Sequence, residues 1–570
     1  MSERENLLLN NLKKSIKETV RCSKTNIEPL MVPQDIEKLL LPLDLSKAID
    51  TAAAQKEIKY LQEVVESLLT NDATSKYVTI SQQVLLKIFA ESSEKFRAKH
   101  FRELMKVYFQ ELLEQSDLER AQLELHIKVL LPLVKLHVLK ETSEQDDELV
   151  DNILNFFKNP RISQEDIYVT VKNKFGDSDF RLISYELIPL DQRNGHLGDY
   201  FQLKVQVERN NEVQLLEMFV KFLNAKIDFF KQLLARGPSK KEEFFYLEYI
   251  PKLRELGLNE LLSFAPECYF SRVDDVLVLE DMTAKGYIGL TPDCKLDLLT
   301  LKLTVSELAK LHASSFIFEQ ALLKKEKSFY DLYSKYLQEV FFVIDSKESK
   351  KAFQRIVKVI VYLCQVFSNI SNKEEVAQKA QSLLKQAFAL LPKSDEFINV
   401  LCHGDVYVAN MLFNFNDKQE CQDVKLIDFQ ILRYKPPTHD LLFFLYQNAF
   451  KETLDEHMDE LLALYYEALK ENLGKFHLDI SKVYPKENFE GSIRPMRILA
   501  VFMSIYYSHL TTIDPKVRER VFHENQMELL RDEFYLINLG LKVEHYRKVM
   551  KGLIDSFTEL CNSNDIKGTN

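Results

Sequence analysis

Apolar residues recur at three-and-four spacing through nearly all of residues 1–160. The clearest runs are EIKYLQEVVESLL (57–69), VLLKIFAESSEKFRAKHFRELMKVYFQELLEQ (84–115) and LERAQLELHIKVLLPLVKLHVLK (118–140). This period predicts amphipathic helices, with Ser116 and Asp117 as a turn and N-cap between the last two and a kink or break at Pro132. An acidic run, Glu141 to Asp151, and the short amphipathic NILNFFKNP close the region. At Arg161 the pattern changes. DFRLISYELIPL, YFQLKVQVE and VQLLEMFVKFL alternate with period two and predict strands, with DQRNGHLGD as a turn between the first two. A helix, KKEEFFYLEYIPKLREL, and a strand, VLVLEDM, follow. From about Thr291 the helical period returns, interrupted by VLCHGDVYVANMLFNF and VKLIDFQIL. The expectation is an α+β chain in three parts: an all-α extension (1–160), a small β-rich lobe (161–283) and a larger helical lobe (284–570).

Composition sharpens this division. The chain has 570 residues but only 13 glycines, and the first of them is Gly176. A region without glycine has no Rossmann turn, phosphate-binding Walker loop or run of tight hairpins. The net charge of −11 and the lack of a Lys/Arg-rich arm argue against a nucleic-acid partner. No window of 18 apolar residues is free of charge, and Lys358 breaks the best candidate, RIVKVIVYLCQVF, so no membrane span is expected. MSERENLLLNNLKK lacks the apolar core of a signal peptide. Seven scattered cysteines without CxxC spacing read as reduced thiols, with no zinc site. Together these suggest a cytoplasmic protein.

The strongest chemical signal is His403-Gly404-Asp405 with Asn410 five residues on and Asp428, in Ile427-Asp428-Phe429, eighteen beyond that. A strand–loop–strand carrying these groups gathers three oxygen-bearing side chains. Phosphoryl transfer needs one carboxylate for the acceptor hydroxyl's proton and hard oxygens for Mg²⁺. His403 reads better as a brace for the loop than as a chemical group. Lys221 is a charge inside an apolar strand, a position that costs several kcal/mol unless it is paired. Glu242 or Glu243 on the next helix is the candidate partner, and a snorkelling edge-strand lysine is the plainer alternative. Gly195 and Gly198 would let backbone amides approach phosphates, although a plain hairpin turn fits equally well. Glu280-Asp281-Met282, closing the strand before the helical lobe, would offer adenine backbone donors and acceptors.

FVKFL, KKEEFFYLEYIP, LVLEDM, LAKLHASSF, HGDVYVANMLF and LIDFQILRYKPPTHDLLFFL, taken in order, resemble the ecdysteroid kinase-like family over about residues 161–560. The family belongs with the choline and aminoglycoside kinases. The resemblance implies the bilobal protein-kinase-like fold and ATP- and Mg²⁺-dependent phosphorylation of a small-molecule hydroxyl, with ecdysteroids or other secondary alcohols as suggested acceptors. It makes Asp405 the catalytic base, Asn410 and Asp428 the Mg²⁺ ligands, Lys221 the lysine on the α/β-phosphates and Glu242 its helix partner. Asp440 matches a loop-supporting aspartate, and by its chemistry would serve equally as a helix N-cap. Tyr407 stands where the family usually has Trp, and the phosphate loop is longer and more polar than expected.

HGD in place of HRD, DFQ in place of DFG and the lack of an APE-like segment argue against a protein kinase. The alternative of another class is a non-catalytic scaffold whose helical extension recruits a partner, which the residues do not name. The acceptor would lie against RILAVFMSIYYSHL (497–510), a stretch that also reads as an ordinary core helix.

Overall fold

The structure, a computed structural model, describes residues 3–22, 72–92, 94–113, 130–131, 134–135, 161–190, 198–223, 237–272, 275–343, 347–367, 372–513, 516–517 and 534–562. Gly195, the runs at 57–69 and 114–129, the turn at Ser116 and Asp117, Pro132, the acidic run and NILNFFKNP lie outside them. The chain divides into two units. The first comprises 1–190, 201–221 and 268–279, and the second the remainder.

The first unit begins with α1 (Glu3–Cys22), α2 (Asp72–Glu91) and α3 (Glu94–Leu113). The run expected as one helix over 84–115 is two helices with a break at Ser92, whose hydroxyl turns back onto the Ile88 carbonyl at 2.5 Å. Such back-bonding competes with helix propagation. Leu9, Leu12 and Ile16 of α1 and Leu104, Tyr108 and Leu112 of α3 are buried, and α1 packs on α3. A helix that the strand pattern concealed, α4 (Gln164–Phe175), starts at a complete capping box formed by Ser163 and Asp166 and stops at left-handed Gly176. Arg272 binds Asp166 at 2.5 Å and Asp275 at 2.6 Å and reaches the Arg161 carbonyl at 3.0 Å. It therefore ties the start of α4 to the sheet.

That sheet is five-stranded in the order β1-β2-β3-β5-β4, with β1 Arg181–Pro189, β2 Gly198–Arg209, β3 Glu212–Leu223, β4 Cys268–Arg272 and β5 Val276–Glu280. The β1–β2 and β4–β5 pairs are antiparallel. β3 is the central strand, so Lys221, which is buried, is no edge-strand lysine.

The second unit is mostly helical. α5 (Pro238–Phe244) runs through a π turn (Phe245–Tyr249) into α6 (Ile250–Glu255). β6 (Tyr287–Gly289) leads to α7 (Leu298–Leu323), capped by the Asp297 carboxylate on Thr300 N. α8 (Lys347–Phe367) and α9 (Lys373–Ala389) precede β7 (Val400–Cys402), β8 (Met411–Phe415), β9 (Cys421–Leu426) and β10 (Arg433–Lys435). α10 (Thr438–Asn448), α11 (Lys451–Lys475), α12 (Lys486–Thr511) and α13 (Glu544–Asn562) complete it. Every residue of α10 is buried: its apolar middle, LLFFLY, packs between α7 and α12, and polar residues at both ends are buried with it. The class is the α+β one expected, with helices ahead of the sheet. Among the described residues no helix is long and apolar enough to cross a membrane.

Candidate active site

Two small ladders carry the site, all within the second unit. β7 pairs with β10, and β8 pairs with both β6 and β9. His403-Gly404-Asp405 leaves the end of β7, and a 3₁₀ turn, Val408–Asn410, delivers the chain into β8. Met411 faces Leu426 at the start of the β8–β9 ladder, and Ile427 N donates to the Asn410 carbonyl at 3.0 Å. Asp428 follows directly, so the ladder fixes its separation from Asn410. Asp428 is left-handed, with φ 66° and ψ 64°. Backbone outliers of this kind persist where the surroundings hold them, commonly at functional sites.

Asp405 is held on one side. Asn410 Nδ2 donates to its Oδ2 at 2.8 Å and to its main-chain carbonyl at 2.9 Å, whereas Oδ1 is buried without a hydrogen bond. Burial pushes the carboxyl up, and Asp428 adds to this. The Tyr507 hydroxyl and His403 work against it. Because Asn410 spends its amide nitrogen on Asp405, its amide oxygen is left to a ligand. That oxygen and the Asp428 carboxylate are the hard donors that Mg²⁺ prefers, so the side chains fit the ion.

The loop is braced from below. Asp440, in the first turn of α10, accepts His403 N at 2.6 Å and Gly404 N at 2.9 Å. It is no N-cap, since Pro437 holds that position. His312 Nε2 lies 3.3 Å from its Oδ2, and His312 Nδ1 is 2.7 Å from the Tyr465 hydroxyl. Burial would raise the Asp440 carboxyl, but these partners hold it at about 2. His312, Cys402 and Asp440 are close enough to suit a metal. The Cys402 thiol, however, points to the Lys435 and Pro436 carbonyls, and both Asp440 oxygens already take N–H donors. His403 is a brace: Nε2 sits 2.9 Å from the Ile427 carbonyl, and Asp405 N approaches Nδ1 at 3.3 Å. Gly404 has φ +80°, and a Cβ there would lie 2.1 Å from the Ile431 carbonyl oxygen.

Phe429 locks the second loop. Its ring stacks on Phe245 at 3.6 Å and meets Tyr246 and His403 edge-on or tilted. Gln430 donates to Glu242 Oε2 at 3.1 Å, so Glu242 faces the Asp428-Phe429-Gln430 turn. Glu243 is buried as well. At the connector, the Asp281 carboxylate accepts Thr283 N and Ala284 N at 2.9 and 3.2 Å. Glu280 binds Lys285 and takes Glu267 N at 3.3 Å. Both side chains are thus engaged in local structure, and on the main chain Glu280 N donates to the Glu267 carbonyl at 2.8 Å while the Met282 carbonyl accepts Lys285 N and Tyr287 N at 3.1 and 3.0 Å. Gly198 opens β2, and Lys221 lies in β3.

Three residues here escaped the sequence reading as site elements. Arg433 donates to the Gly404 carbonyl and binds Glu339 at 2.8 Å. Lys241 Nζ reaches the Gln338 and Leu432 carbonyls at 2.5 and 2.8 Å, and burial lowers its amine to about 7. The only available signal was charge beside apolar residues, as for Arg433 in ILRYK and Glu339 in LQEVFF, and Lys241 in KKEEF lacked even that.

The strand–loop–strand with its braced Asp405 and left-handed Asp428 defines a kinase-like phosphotransferase. Residues 195–478 match the model of the ecdysteroid kinase-like family, and through them the chain belongs to that family. No curated protein matches the chain. Among solved structures, the GDP complex of wild-type aminoglycoside 2'-phosphotransferase-IIIa is 14% identical, covers 66% of this chain and 99% of that one, and gives a TM-score of 0.28.

Proposed function

We propose that this protein is a cytosolic kinase transferring the γ-phosphoryl group of ATP to a hydroxyl of a small molecule, an ecdysteroid or another apolar secondary alcohol, with residues 161–283 and 284–570 as its two lobes. The observation that carries this is Asp405, a buried carboxylate with Oδ2 fixed by Asn410 and Oδ1 left to a substrate proton. Asp405 would orient the acceptor hydroxyl and take its proton as the new P–O bond forms. Asn410 and Asp428 would hold Mg²⁺, which when bound neutralises phosphate charge. Lys221, Gly195 and Gly198 would meet the phosphates, Glu242 would orient Lys221, and the backbone of Glu280 to Met282 would take adenine. Half-exposed Tyr506 and Tyr507 at the end of α12 offer an apolar wall beside Asp405, which suits a flat alcohol better than a polycation.

A screen of alcohols with labelled ATP, followed by mass measurement of products, tests the reaction. Mg²⁺·ATP should raise the melting temperature of the parent. Asp428→Asn should abolish that shift, and Asp405→Asn should keep it while stopping turnover. Full phosphotransfer by Asp405→Asn would remove the base assignment.

A further inference from the structure

The brace on Gly404 continues into a stretch that carries no motif. The Arg433 guanidinium spends one nitrogen on the Gly404 carbonyl and the others on Glu339, at 2.8 and 3.2 Å. Glu339 Oε1 in turn accepts Phe341 N at 2.8 Å and Phe342 N at 2.9 Å. The two rings that this turn presents meet Tyr506 at 6.0 and 5.7 Å, and Phe341 also meets Tyr507 at 6.2 Å. Tyr507 closes the circuit, because its ring contacts Tyr407, two residues beyond Asp405, at 5.8 Å. From the other side Lys241 pins the Gln338 and Leu432 carbonyls together.

A buried ion pair is an expensive way to build a strut, since apolar residues of similar volume hold a fold as well or better. Arginine supplies what they lack: a rigid planar fork that bonds a carbonyl and a carboxylate at once, so that neither moves without the other. We propose that the Glu339–Arg433 pair is a positioning device that keeps the Asp405 loop in register with an aromatic acceptor wall of Phe341, Phe342, Tyr506 and Tyr507. The apolar wall gives a ring system a place to lie but no direction for its hydroxyl. The pair supplies that direction by fixing where the loop stands relative to the wall. This deepens the kinase reading and rests on it.

The test uses the full chain with Arg433→Lys and Glu339→Gln, singly and together. Lysine keeps the charge but puts its donors on one compact ammonium at the end of a flexible stem, so it cannot reproduce the fixed spacing of the planar fork. Hydrogen exchange should rise about tenfold in Arg433→Lys, both in residues 403–410 and in 338–343, while β8–β9 stays protected. ADP formation from Mg²⁺·ATP should fall about 10- to 100-fold in kcat, the scale of a roughly 1 Å misplacement, with the KM for ATP within about twofold. The double variant should be no worse than the poorer single one, and Glu339→Gln carries the test should Arg433→Lys not fold. Exchange rising in one segment alone, an unchanged kcat, or a KM for ATP climbing in step with the loss of kcat would overturn the proposal. A parent that neither forms ADP nor shows an ATP-dependent melting shift sinks the kinase reading and this proposal with it. That outcome is told apart because it appears before any substitution is made.

Discussion

Asp440→Asn removes one charge from beneath the catalytic loop and leaves the volume unchanged. The native carboxylate gives its two oxygens to His403 N and Gly404 N, with His312 on one of them. An amide has one oxygen, so its NH₂ must face an N–H donor. Losing one charge-assisted bond and leaving a buried backbone donor unpaired costs about 2–4 kcal/mol. The titration leads to the same range by a separate route. With the carboxyl at about 2 in the fold against 3.8 unfolded, the group contributes about 2.4 kcal/mol at neutral pH. Because the folded value is the depressed one, this stabilisation is complete above pH 3.8 and disappears as pH falls toward 2. For a cooperative unit of about 350 residues, the unfolding entropy is about 0.7 kcal/mol/K, so the melting temperature should drop about 3–6 °C. Scanning calorimetry at pH 7, 5, 4 and 3 should show a constant gap between parent and variant down to about pH 4, narrowing below it. A gap absent at pH 7, or one that widens on acidification, would refute the reasoning.

Other substitutions probe separate parts of the argument. Gly404→Ala combines a left-handed backbone with a Cβ 2.1 Å from the Ile431 carbonyl oxygen. The strain alone is about 1–2 kcal/mol, and turnover should fall far more than ATP affinity, which steady-state kinetics will separate. Lys135→Met leaves the buried Glu165 carboxylate without its 2.7 Å partner, at a cost of about 3–5 kcal/mol. Adding Glu165→Leu should recover most of that in urea melts. Ser163→Ala removes the α4 cap and should cost about 1 kcal/mol without touching ADP formation.

Several elements were legible because they need only local chemistry. Period two in VQLLEMFVKFL marked β3, and the apolar run of VLVLEDM marked β5. The spacing of Asp405, Asn410 and Asp428 pointed to the loop pair because a short hairpin ladder has little freedom in how it returns. Other elements could not be read locally. α4 sat in a stretch whose neighbours alternate, and its capping box carries Asp where the common pattern has Glu or Gln. The split between α2 and α3 turns on Ser92, a residue equally at home in an exposed helix. Asp440 was a choice between N-cap and brace until α10 was seen to begin two residues earlier.

By itself the sequence determined which residue types are available and roughly where the chain changes from helix to strand and back, because hydrophobic period acts over a turn or two. Tertiary structure alone decided what each charge faces. Asp405 and Asp428 are ordinary carboxylates until burial and neighbours distinguish them. Glu339 and Arg433, 94 residues apart in the chain, become a pair only when the fold removes both from water. The pairing of a carboxylate with a guanidinium across that distance is set by packing, to which local periodicity is blind.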